Sequence, residues 1–246
     1  MSRTRLDLAL VDRGLAPTRA RARDAIQRGH VVVDGRVETK PATGVGPEAA
    51  ITIDDPAAQW VSRAALKLTG ALDRFGLDPT ACDCLDVGAS TGGFTQVLLA
   101  RGAARVTAID VGHGQLAGEV AADPRVVSIE GLNARDLSAE HLASAPDFVV
   151  ADVSFISLTL ALPPALDLAR AGARGVFLVK PQFEVGREGI GRGGLVRDPA
   201  AALASVDRIA RLLADRGWRE IGRAEASIAG GDGNQEFVIA AEKSVR

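Results

Sequence analysis

The chain has 246 residues, of which 47% are hydrophobic and 24% are charged, and its formal net charge at pH 7 is −2. This composition is typical of one large or two modest globular domains, and it excludes a fibrous chain, a disordered chain and a small domain held together by disulfides. No stretch approaches the ~18 consecutive uncharged apolar residues of a membrane-spanning helix, and the first residues lack the apolar segment of a signal peptide, so we expect a cytosolic protein with no membrane partner.

Positive charge is concentrated at the N-terminal end. Residues 1–40 contain nine Lys and Arg residues against five Asp and Glu residues, which is a net charge of +4 and leaves −6 for the remainder. A basic segment on an otherwise acidic chain favours contact with nucleic acid.

The first 55 residues form a predicted module of two helices and a small sheet. Apolar residues at helical spacing begin at Leu6 and stop at Gly14, and Thr18 is a suitable N-cap for a second helix that ends at Gly29. Valine-rich strands flank Asp34-Gly35, a dipeptide that readily supplies the positive φ angles of a tight hairpin. A further apolar strand is predicted at 51–53.

The second helix carries arginines along both flanks of its apolar stripe. Helical geometry places Arg19 and Arg23 on one flank and Arg21 and Arg28 on the other, and all four are expected to point outward. A solvated helix face without a ligand is the simplest explanation of such a pattern.

A more specific interpretation comes from the longer pattern. The runs Arg5-Leu6-Asp7, Thr18-Arg19-Ala20-Arg21-Ala22 and Ile26-Gln27-Arg28-Gly29-His30 before the hairpin resemble the S4-type RNA-binding domain, with Thr18 where that family usually has Ser. The resemblance implies that structured RNA is contacted by Arg5, Arg19, Arg21, Arg23 and Arg28.

A second, larger module is expected at 62–246, after an irregular linker at 56–61. A helix is predicted at 62–75, and after it strand and helix patterns alternate, which predicts a parallel sheet wrapped by helices. The strands are predicted near 84–87, 105–110, 126–130, 148–152 and 175–180. After a helix at 199–216, strand patterns at 221–227 and 236–241 predict a closing hairpin with an antiparallel final strand.

The two cysteines lie at the start of the first of these strands. Cys82 and Cys84 are separated by a single residue, so they form neither a disulfide framework nor a four-ligand zinc site, and no metal is expected. Packing in the core is their expected role.

The first strand runs into a glycine-rich turn, Asp86-Val87-Gly88-Ala89-Ser90-Thr91-Gly92-Gly93-Phe94. A dinucleotide site needs the spacing G-x-G-x-x-G, and a carboxylate at the strand end would repel its diphosphate but attract an ammonium. S-adenosylmethionine carries an ammonium and no phosphate, and the form D-x-G-x-S-x-G is similar to that of Rossmann-like methyltransferases. Asp110, at the end of the next strand, is placed to bridge two ribose hydroxyls. A nicotinamide or flavin cofactor and a purely structural turn are the alternatives.

Two further charged residues follow the later strands. Asp152 and Lys180 are expected at the carboxyl edge of the sheet, where ligands bind in such folds. The chain has 29 Lys and Arg residues, but lysine occurs only at 40, 67, 180 and 243. Because a buried ammonium can lose its proton whereas a guanidinium effectively does not, Lys180 at the end of an apolar strand indicates a chemical role. A solvated strand end is the alternative.

Two longer motifs extend the resemblance to almost the whole chain. Together with the S4-like module and the glycine-rich turn, Ala151-Asp152-Val153-Ser154-Phe155-Ile156-Ser157 and Val179-Lys180-Pro181-Gln182-Phe183-Glu184 resemble the TlyA family of ribosomal RNA 2′-O-methyltransferases, often labelled haemolysin-like. The larger module is also similar to the FtsJ-type RNA ribose methyltransferases, whose Lys-Asp-Lys-Glu tetrad maps onto Lys67, Asp152, Lys180 and Glu236.

The resemblance implies an α/β fold in which an S4-like RNA-binding domain precedes a Rossmann-like class I methyltransferase domain with a mostly parallel sheet of seven strands. It implies S-adenosylmethionine as the cofactor. The residues expected to contact the cofactor are Asp86, Gly88, Ser90, Thr91, Gly92, Gly93, Phe94, Asp110, Val111, Asn133 and Asp152. For Asn133, capping of a loop is the alternative to a contact with the adenine.

The implied substrate is the 2′-hydroxyl of a cytidine in 16S ribosomal RNA, 23S ribosomal RNA or both, with ribosomal subunits as partners. A 2′-hydroxyl is a poor nucleophile near neutral pH, so methyl transfer needs in-line positioning and loss of the hydroxyl proton. Lys180 is expected to orient the hydroxyl, as a base or as an electrostatic support, while Lys67 steers a phosphate or tunes the cluster. A membrane-lytic protein and a non-catalytic RNA-binding protein are alternatives from other functional classes.

Overall fold

The computed structural model describes residues 3–245, and the chain divides into two compact units, Met1–Gln59 and Trp60–Arg246. Each unit has a hydrophobic core of its own, with a single core in the first and two core layers in the second. The division between the units falls within the segment 56–61 that the sequence suggests as a linker.

Between residues 3 and 59 the structure has two helices and five short strands. They are β1 (Thr4–Arg5), α1 (Leu6–Asp12), α2 (Arg19–Gln27), β2 (Val31–Val33), β3 (Arg36–Val37), β4 (Gly44–Val45) and β5 (Ile51–Ile53). β2 lies between β3 and β5 in an antiparallel sheet, and β1 pairs with β4. The predicted helices and hairpin are confirmed. The β1–β4 pair was not predicted, because two-residue strands leave no periodic pattern.

Local chemistry explains where these elements begin and turn. The Thr18 hydroxyl accepts a hydrogen bond from the Arg21 amide at 3.3 Å and thereby caps α2. Asp34 and Gly35 have φ angles of 49° and 78°, as the hairpin between β2 and β3 requires. Fully buried side chains that include Leu6 and Ile26 hold the helices against the sheet.

A buried carboxylate joins three parts of the N-terminal unit. Asp7 in α1 is fully buried, and its oxygens accept from Arg5 Nε and Arg19 Nε, each at 3.0 Å. The hydrogen bond from Arg5, helped by the one from Arg19, lowers the pKa of Asp7 to about 2. The carboxylate therefore stays charged near neutral pH and holds both guanidinium groups beside α1.

Between residues 60 and 245 the structure alternates strands and helices, as predicted. The elements are α3 (Ala65–Phe75), β6 (Asp83–Val87), α4 (Gly93–Ala100), β7 (Arg105–Asp110), α5 (Gly118–Ala121), β8 (Val126–Glu130), β9 (Phe148–Ala151), α6 (Leu158–Ala161), α7 (Pro163–Leu168), β10 (Arg174–Val179), α8 (Pro199–Asp215), β11 (Trp218–Glu225) and β12 (Phe237–Lys243). The helix expected from residue 62 begins at Ala65, because Ser62 and Ala64 form a turn in which the serine hydroxyl accepts from the alanine amide at 3.2 Å.

The sheet of this unit has seven strands in the order β11-β12-β10-β9-β6-β7-β8. β12 pairs antiparallel with both of its neighbours, and the other strand pairs are parallel, so the predicted mostly parallel sheet and its antiparallel final strand are confirmed. The strand order reverses between β6 and β9. In an open α/β sheet, such a switch point is where the loops at the carboxyl edge separate and leave a crevice for a ligand.

Alternate side chains of the central strands enter two different core layers. In β10, Val176 and Leu178 pack with residues of α3 and α4, whereas Phe177 and Val179 pack with residues of α6, α7 and α8. A strand buried on both faces reads as a continuous apolar run, which is the pattern of this strand in the sequence. Cys84 lies 3% exposed in the first of these layers, and its burial raises the pKa of the thiol. Between residues 3 and 245, no helix combines the length and the apolar character needed to span a membrane.

The Asp7 ion pairs lead to a first prediction. Replacement Asp7→Asn removes the charge that holds Arg5 and Arg19, so the backbone amides of α1 and α2 should exchange with solvent several-fold faster at pH 7. Hydrogen–deuterium exchange of the full chain, read by mass spectrometry, measures this effect. Asp12→Asn, at an exposed position of the same helix, is the matched control. Equal exchange in the two variants would show that the buried carboxylate does not stabilise this unit.

Candidate active site

Close contacts shape the glycine-rich turn between β6 and α4. Gly88 has a φ of 84°, and a Cβ at this position would lie 2.7 Å from the carbonyl oxygen of Asp152. Gly92 has a φ of 93°, and its Cβ would lie 2.7 Å from the Leu116 side chain. The backbone contact at Gly88 leaves no space for a side chain, so the turn lies directly against the segment that follows β9. At Gly92 the neighbour is the end of a flexible side chain, and the positive φ is the stronger reason for glycine.

Asp110, at the carboxyl end of β7, ties this turn to the next loop. Its Oδ2 accepts from the Ser90 amide at 2.8 Å, and its Oδ1 accepts from the Gly112 amide at 2.7 Å. Each carboxylate oxygen has a second lone pair, so both remain able to accept a hydrogen bond from a ligand hydroxyl. Asp110 thus shapes the turn and also faces the adjacent cavity.

Three adjoining cavities follow the carboxyl edge of the sheet. The outer cavity, of about 600 Å³, is lined by residues that include Asp110, Val111 and Asn133. The turn cavity, of about 130 Å³, lies against the glycine-rich turn. The tetrad cavity, of about 350 Å³, lies beyond it. Asp152 and Ser154 line all three, so the cavities form one continuous crevice.

All four residues that the sequence maps onto the tetrad line the tetrad cavity. They form two ion pairs, each with a nitrogen–oxygen distance of 2.5 Å: Lys67 with Glu236, and Lys180 with Asp152. In the first pair the side chains are 6% and 3% exposed, and in the second they are 12% and 13% exposed. Residues separated by up to 169 positions are therefore brought to one wall of the crevice.

The predicted position of the Asp86 side chain is wrong. The sequence suggests a carboxylate that projects into the site, but Asp86 is fully buried and is not among the residues that line the three cavities. The Thr95 hydroxyl donates to its Oδ2 at 2.7 Å, and among the described residues no hydrogen bond reaches its Oδ1. Because burial disfavours the charged form, the pKa of Asp86 is raised to about 7. The side chain of a central strand residue turns toward the covering helix α4, which sequence spacing alone does not indicate.

The other residues proposed for the cofactor lie on or beneath the crevice. The turn cavity is lined by Gly88, Ser90, Thr91, Gly93 and Phe94. Gly92 does not line it and acts through the shape of the turn. Asn133 lines the outer cavity and also accepts from the Arg135 amide at 3.1 Å as the cap of a 3₁₀ turn, so both of its expected roles remain open.

The structure adds residues that the sequence did not single out. Phe155, at the rim of the outer cavity, is 91% exposed and has a φ of 66°, which is rare for a bulky residue. Ser154 accepts a hydrogen bond from Lys180 Nζ at 2.8 Å. Gln182 contacts Glu236 through its Nε2 at 3.4 Å in the tetrad cavity. All three residues lie within the two long motifs at 151–157 and 179–184, so the sequence offered a signal for them. The motifs do not show which way each side chain points.

The arginines proposed for RNA contact differ in how they are held within the N-terminal unit. Arg5 and Arg19 are about half exposed while bound to Asp7. Arg21 donates to the Ala57 carbonyl at 2.6 Å, and Arg23 is exposed. The expectation that all flanking arginines point outward is wrong for Arg28, which is 13% exposed because it forms ion pairs on two sides.

These ion pairs explain the position of Arg28. Its Nε lies 2.9 Å from Asp24, one helical turn away, and its Nη2 lies 2.8 Å from Asp55, which follows the last strand of the unit. A guanidinium with two carboxylate neighbours is drawn against the protein and is less available to a phosphate.

Comparison with known proteins agrees with this geometry. The sequence model of the FtsJ-like methyltransferase family matches residues 60–243, and that of the S4 domain matches residues 4–51. The chain is 48% identical to the 16S/23S rRNA (cytidine-2′-O)-methyltransferase TlyA of Mycobacterium tuberculosis over 96% of this chain and 89% of that protein. The chain belongs to the TlyA family.

Other TlyA-like proteins carry different names. The chain is 38% identical to Hemolysin A of Brachyspira hyodysenteriae, over 95% of this chain and 98% of that protein. A solved structure from Streptococcus thermophilus, 37% identical, has a TM-score of 0.77 and covers 99% of this chain and 90% of that chain. The chain also resembles the solved structure of the magnesium protoporphyrin IX methyltransferase of Synechocystis with bound SAM, with a TM-score of 0.50. The match covers 74% of this chain and 81% of that chain at 15% identity, so it shows a shared fold alone. The larger unit of this TlyA-family protein thus has the fold of S-adenosylmethionine-dependent methyltransferases.

The buried Lys67–Glu236 pair predicts a stability effect that is separate from catalysis. Glu236→Ala leaves a nearly buried ammonium without its carboxylate and should lower the free energy of unfolding by about 3 kcal/mol. The double variant Lys67→Met/Glu236→Leu removes both charges and should recover most of this loss. Urea unfolding of the three proteins measures the difference. A double variant as unstable as Glu236→Ala would show that the uncompensated charge is not the cause.

Proposed function

We propose that this protein transfers a methyl group from S-adenosylmethionine to the ribose 2′-hydroxyl of a cytidine in 16S or 23S ribosomal RNA. The observation that carries the proposal is the convergence of Lys67, Asp152, Lys180 and Glu236 on a cavity that is continuous with the glycine-rich turn. The name of the M. tuberculosis relative supports the choice of cytidine and of ribosomal RNA. Such a substrate is present in the cytoplasm, which is the location we propose.

The residues around the glycine-rich turn fit S-adenosylmethionine. The turn comes close to the segment after β9 at Gly88, and at Gly93 it packs against Ser62, whose Cβ would lie 2.9 Å from a Cβ at position 93, so neither position has room for a side chain. Asp86, near the end of β6, has a buried oxygen that accepts no hydrogen bond among the described residues, and a negative charge there favours a positively charged ligand group at the turn that follows. Asp110 presents acceptors suited to two ribose hydroxyls. When bound, the cofactor supplies a methyl group on a sulfonium.

The tetrad provides the groups that a 2′-hydroxyl needs. The Lys180 ammonium, held by Asp152, lies at the junction of the turn cavity and the tetrad cavity, where it donates a hydrogen bond to the hydroxyl oxygen and fixes its direction. The proton that the hydroxyl loses on methylation passes to solvent water, which reaches the crevice at the exposed Ser154. The Lys67–Glu236 pair is more buried in the tetrad cavity, and its two opposite charges neutralise each other in the wall that faces the ribose. Positioning of this kind supplies a large part of the rate because the methyl donor is already activated.

The S4 unit is proposed to hold the ribosomal RNA. Arg23 is exposed, and Arg5 and Arg19 present guanidinium groups that Asp7 holds in fixed positions. Guanidinium groups in fixed positions pair with phosphates in forked geometry, which suits recognition of RNA by shape and backbone. Ribosomal subunits are the proposed partners.

The direct test is incubation of the protein with labelled S-adenosylmethionine and ribosomal subunits that lack the modification. The label should enter ribosomal RNA at alkali-resistant linkages, since a 2′-O-methyl group prevents cleavage of the adjoining phosphodiester. Label in protein, in lipid or on a base carbon would reject the ribose assignment. Tight RNA binding without any transfer would favour the alternative of a non-catalytic RNA-binding protein.

The Lys180 assignment predicts a separation of catalysis from cofactor binding. Lys180→Ala and the shape-matched Lys180→Met should each lower methyl transfer by about 100-fold or more, because each removes the group that orients the hydroxyl. Calorimetric affinity for S-adenosylmethionine should change by no more than about twofold. Asp86→Ala should instead lose cofactor affinity first. Near-normal turnover of Lys180→Met would place the catalytic centre elsewhere.

The raised pKa of Asp86, about 7, predicts a pH dependence of cofactor binding. A cation bound above the buried carboxylate favours its charged form, so the affinity should weaken as the pH falls below about 7 and Asp86 becomes protonated. Titrations between about pH 5.5 and about pH 7.5 should show a several-fold change for the wild-type protein. Asp86→Asn cannot titrate and serves as the control for protonation of the ligand itself. Parallel profiles for the two proteins would contradict the role of Asp86.

A further inference from the structure

The Lys180 ammonium has two protein neighbours at different positions on the segment that follows β9. Asp152 Oδ1 lies 2.5 Å from Nζ, and Ser154 Oγ accepts a hydrogen bond from Nζ at 2.8 Å. Ser154 is exposed to the crevice and lines all three of its cavities. The hydroxyl is therefore at the junction at which cofactor and substrate have to meet.

These two neighbours restrict the directions of the remaining N–H groups. An ammonium has three N–H groups in a tetrahedral arrangement, and it rotates freely unless acceptors hold it. One N–H of Lys180 is donated to Ser154, while the charge of Asp152 holds the ammonium in place without a hydrogen bond to its Oδ1. With Asp152 alone, all three N–H groups could rotate.

Backbone strain beside Ser154 supports a functional reason for its position. The next residue, Phe155, has a φ of 66°, a conformation that costs a bulky residue energy and that is enriched at functional sites. The Phe155 ring lies 5.2 Å from the Phe183 ring, centroid to centroid, and Phe183 follows Lys180 by three residues. This ring contact joins the two segments that carry Ser154 and Lys180.

We propose that Ser154 is a positioning residue: its hydroxyl, together with the charge of Asp152, orients the Lys180 ammonium so that one of its free N–H groups is directed to the ribose 2′-oxygen. The proposal rests on the 2′-O-methyl transfer proposed above. Ser154 acts through Lys180, so its removal lowers kcat and leaves the affinity for S-adenosylmethionine unchanged.

The test compares Ser154→Thr with Ser154→Val. The two side chains have the same shape and differ only in the hydroxyl, so any steric effect of the added methyl group cancels in their ratio. Methyl transfer to unmodified ribosomal subunits should show a kcat about tenfold higher for Ser154→Thr than for Ser154→Val, the size of one hydrogen bond to a charged group. Ser154→Ala should be as slow as Ser154→Val, with KM for the subunits within about twofold of wild type.

Equal kcat values for the Thr and Val variants would overturn the proposal, as would a loss that appears in KM or in the calorimetric affinity for S-adenosylmethionine. Thermal unfolding of each variant identifies a loss caused by misfolding, and the Thr-to-Val ratio remains the deciding measurement. Absence of transfer by the wild-type protein would reject the proposed function itself. Transfer by the wild-type protein with no difference between the two variants rejects only the role of Ser154.

Discussion

The candidate site depends on a backbone contact at the centre of the sheet. At the switch point between β6 and β9 the Gly88 position lies so close to the Asp152 carbonyl that a Cβ would lie 2.7 Å away. The Asp152 amide in turn donates to the Val87 carbonyl at 3.0 Å. This contact fixes the distance between the glycine-rich turn and the acid that holds Lys180. Asp152 also lines both the turn cavity and the tetrad cavity.

Charge in the crevice is organised as ion pairs within the protein. Each of the two tetrad lysines has a carboxylate partner at 2.5 Å, which offsets the cost of placing an ammonium among apolar strands. The Lys243 ammonium also has defined acceptors, but they are backbone groups: its Nζ donates to the carbonyl groups of Leu166, Asp167 and Ala169. Lysine is rare in this chain, and three of the four lysines lie where a compact, strongly hydrated charge has defined acceptors.

The N-terminal unit shows why a count of basic residues is an incomplete guide to a binding surface. Its net positive charge is real, but Asp7 and the two carboxylates beside Arg28 hold several of its guanidinium groups. An arginine that remains half exposed while paired keeps donors for a phosphate, and its direction is fixed in advance. Arg28 instead becomes part of the packing between α2 and the end of the unit.

The sequence by itself determined the elements and their order. Apolar periodicity, the Thr18 cap and the Asp34-Gly35 turn specified the small unit, and the alternation of strands and helices specified the parallel sheet with an antiparallel last strand. These features follow from local geometry. The motifs also suggested the four tetrad residues, which the structure brings to one cavity.

Only the tertiary structure decided which way individual side chains face. Asp86 turned out to be buried against α4, Arg28 to be held by two acids, and Ser154 to contact the Lys180 ammonium. Each of these results depends on neighbours that are distant in the chain or on a strained backbone angle, as at Phe155. Periodicity along a sequence carries information about the face of a strand or helix. It carries none about which atoms of another segment will meet that face, because the packing of the whole unit determines those contacts.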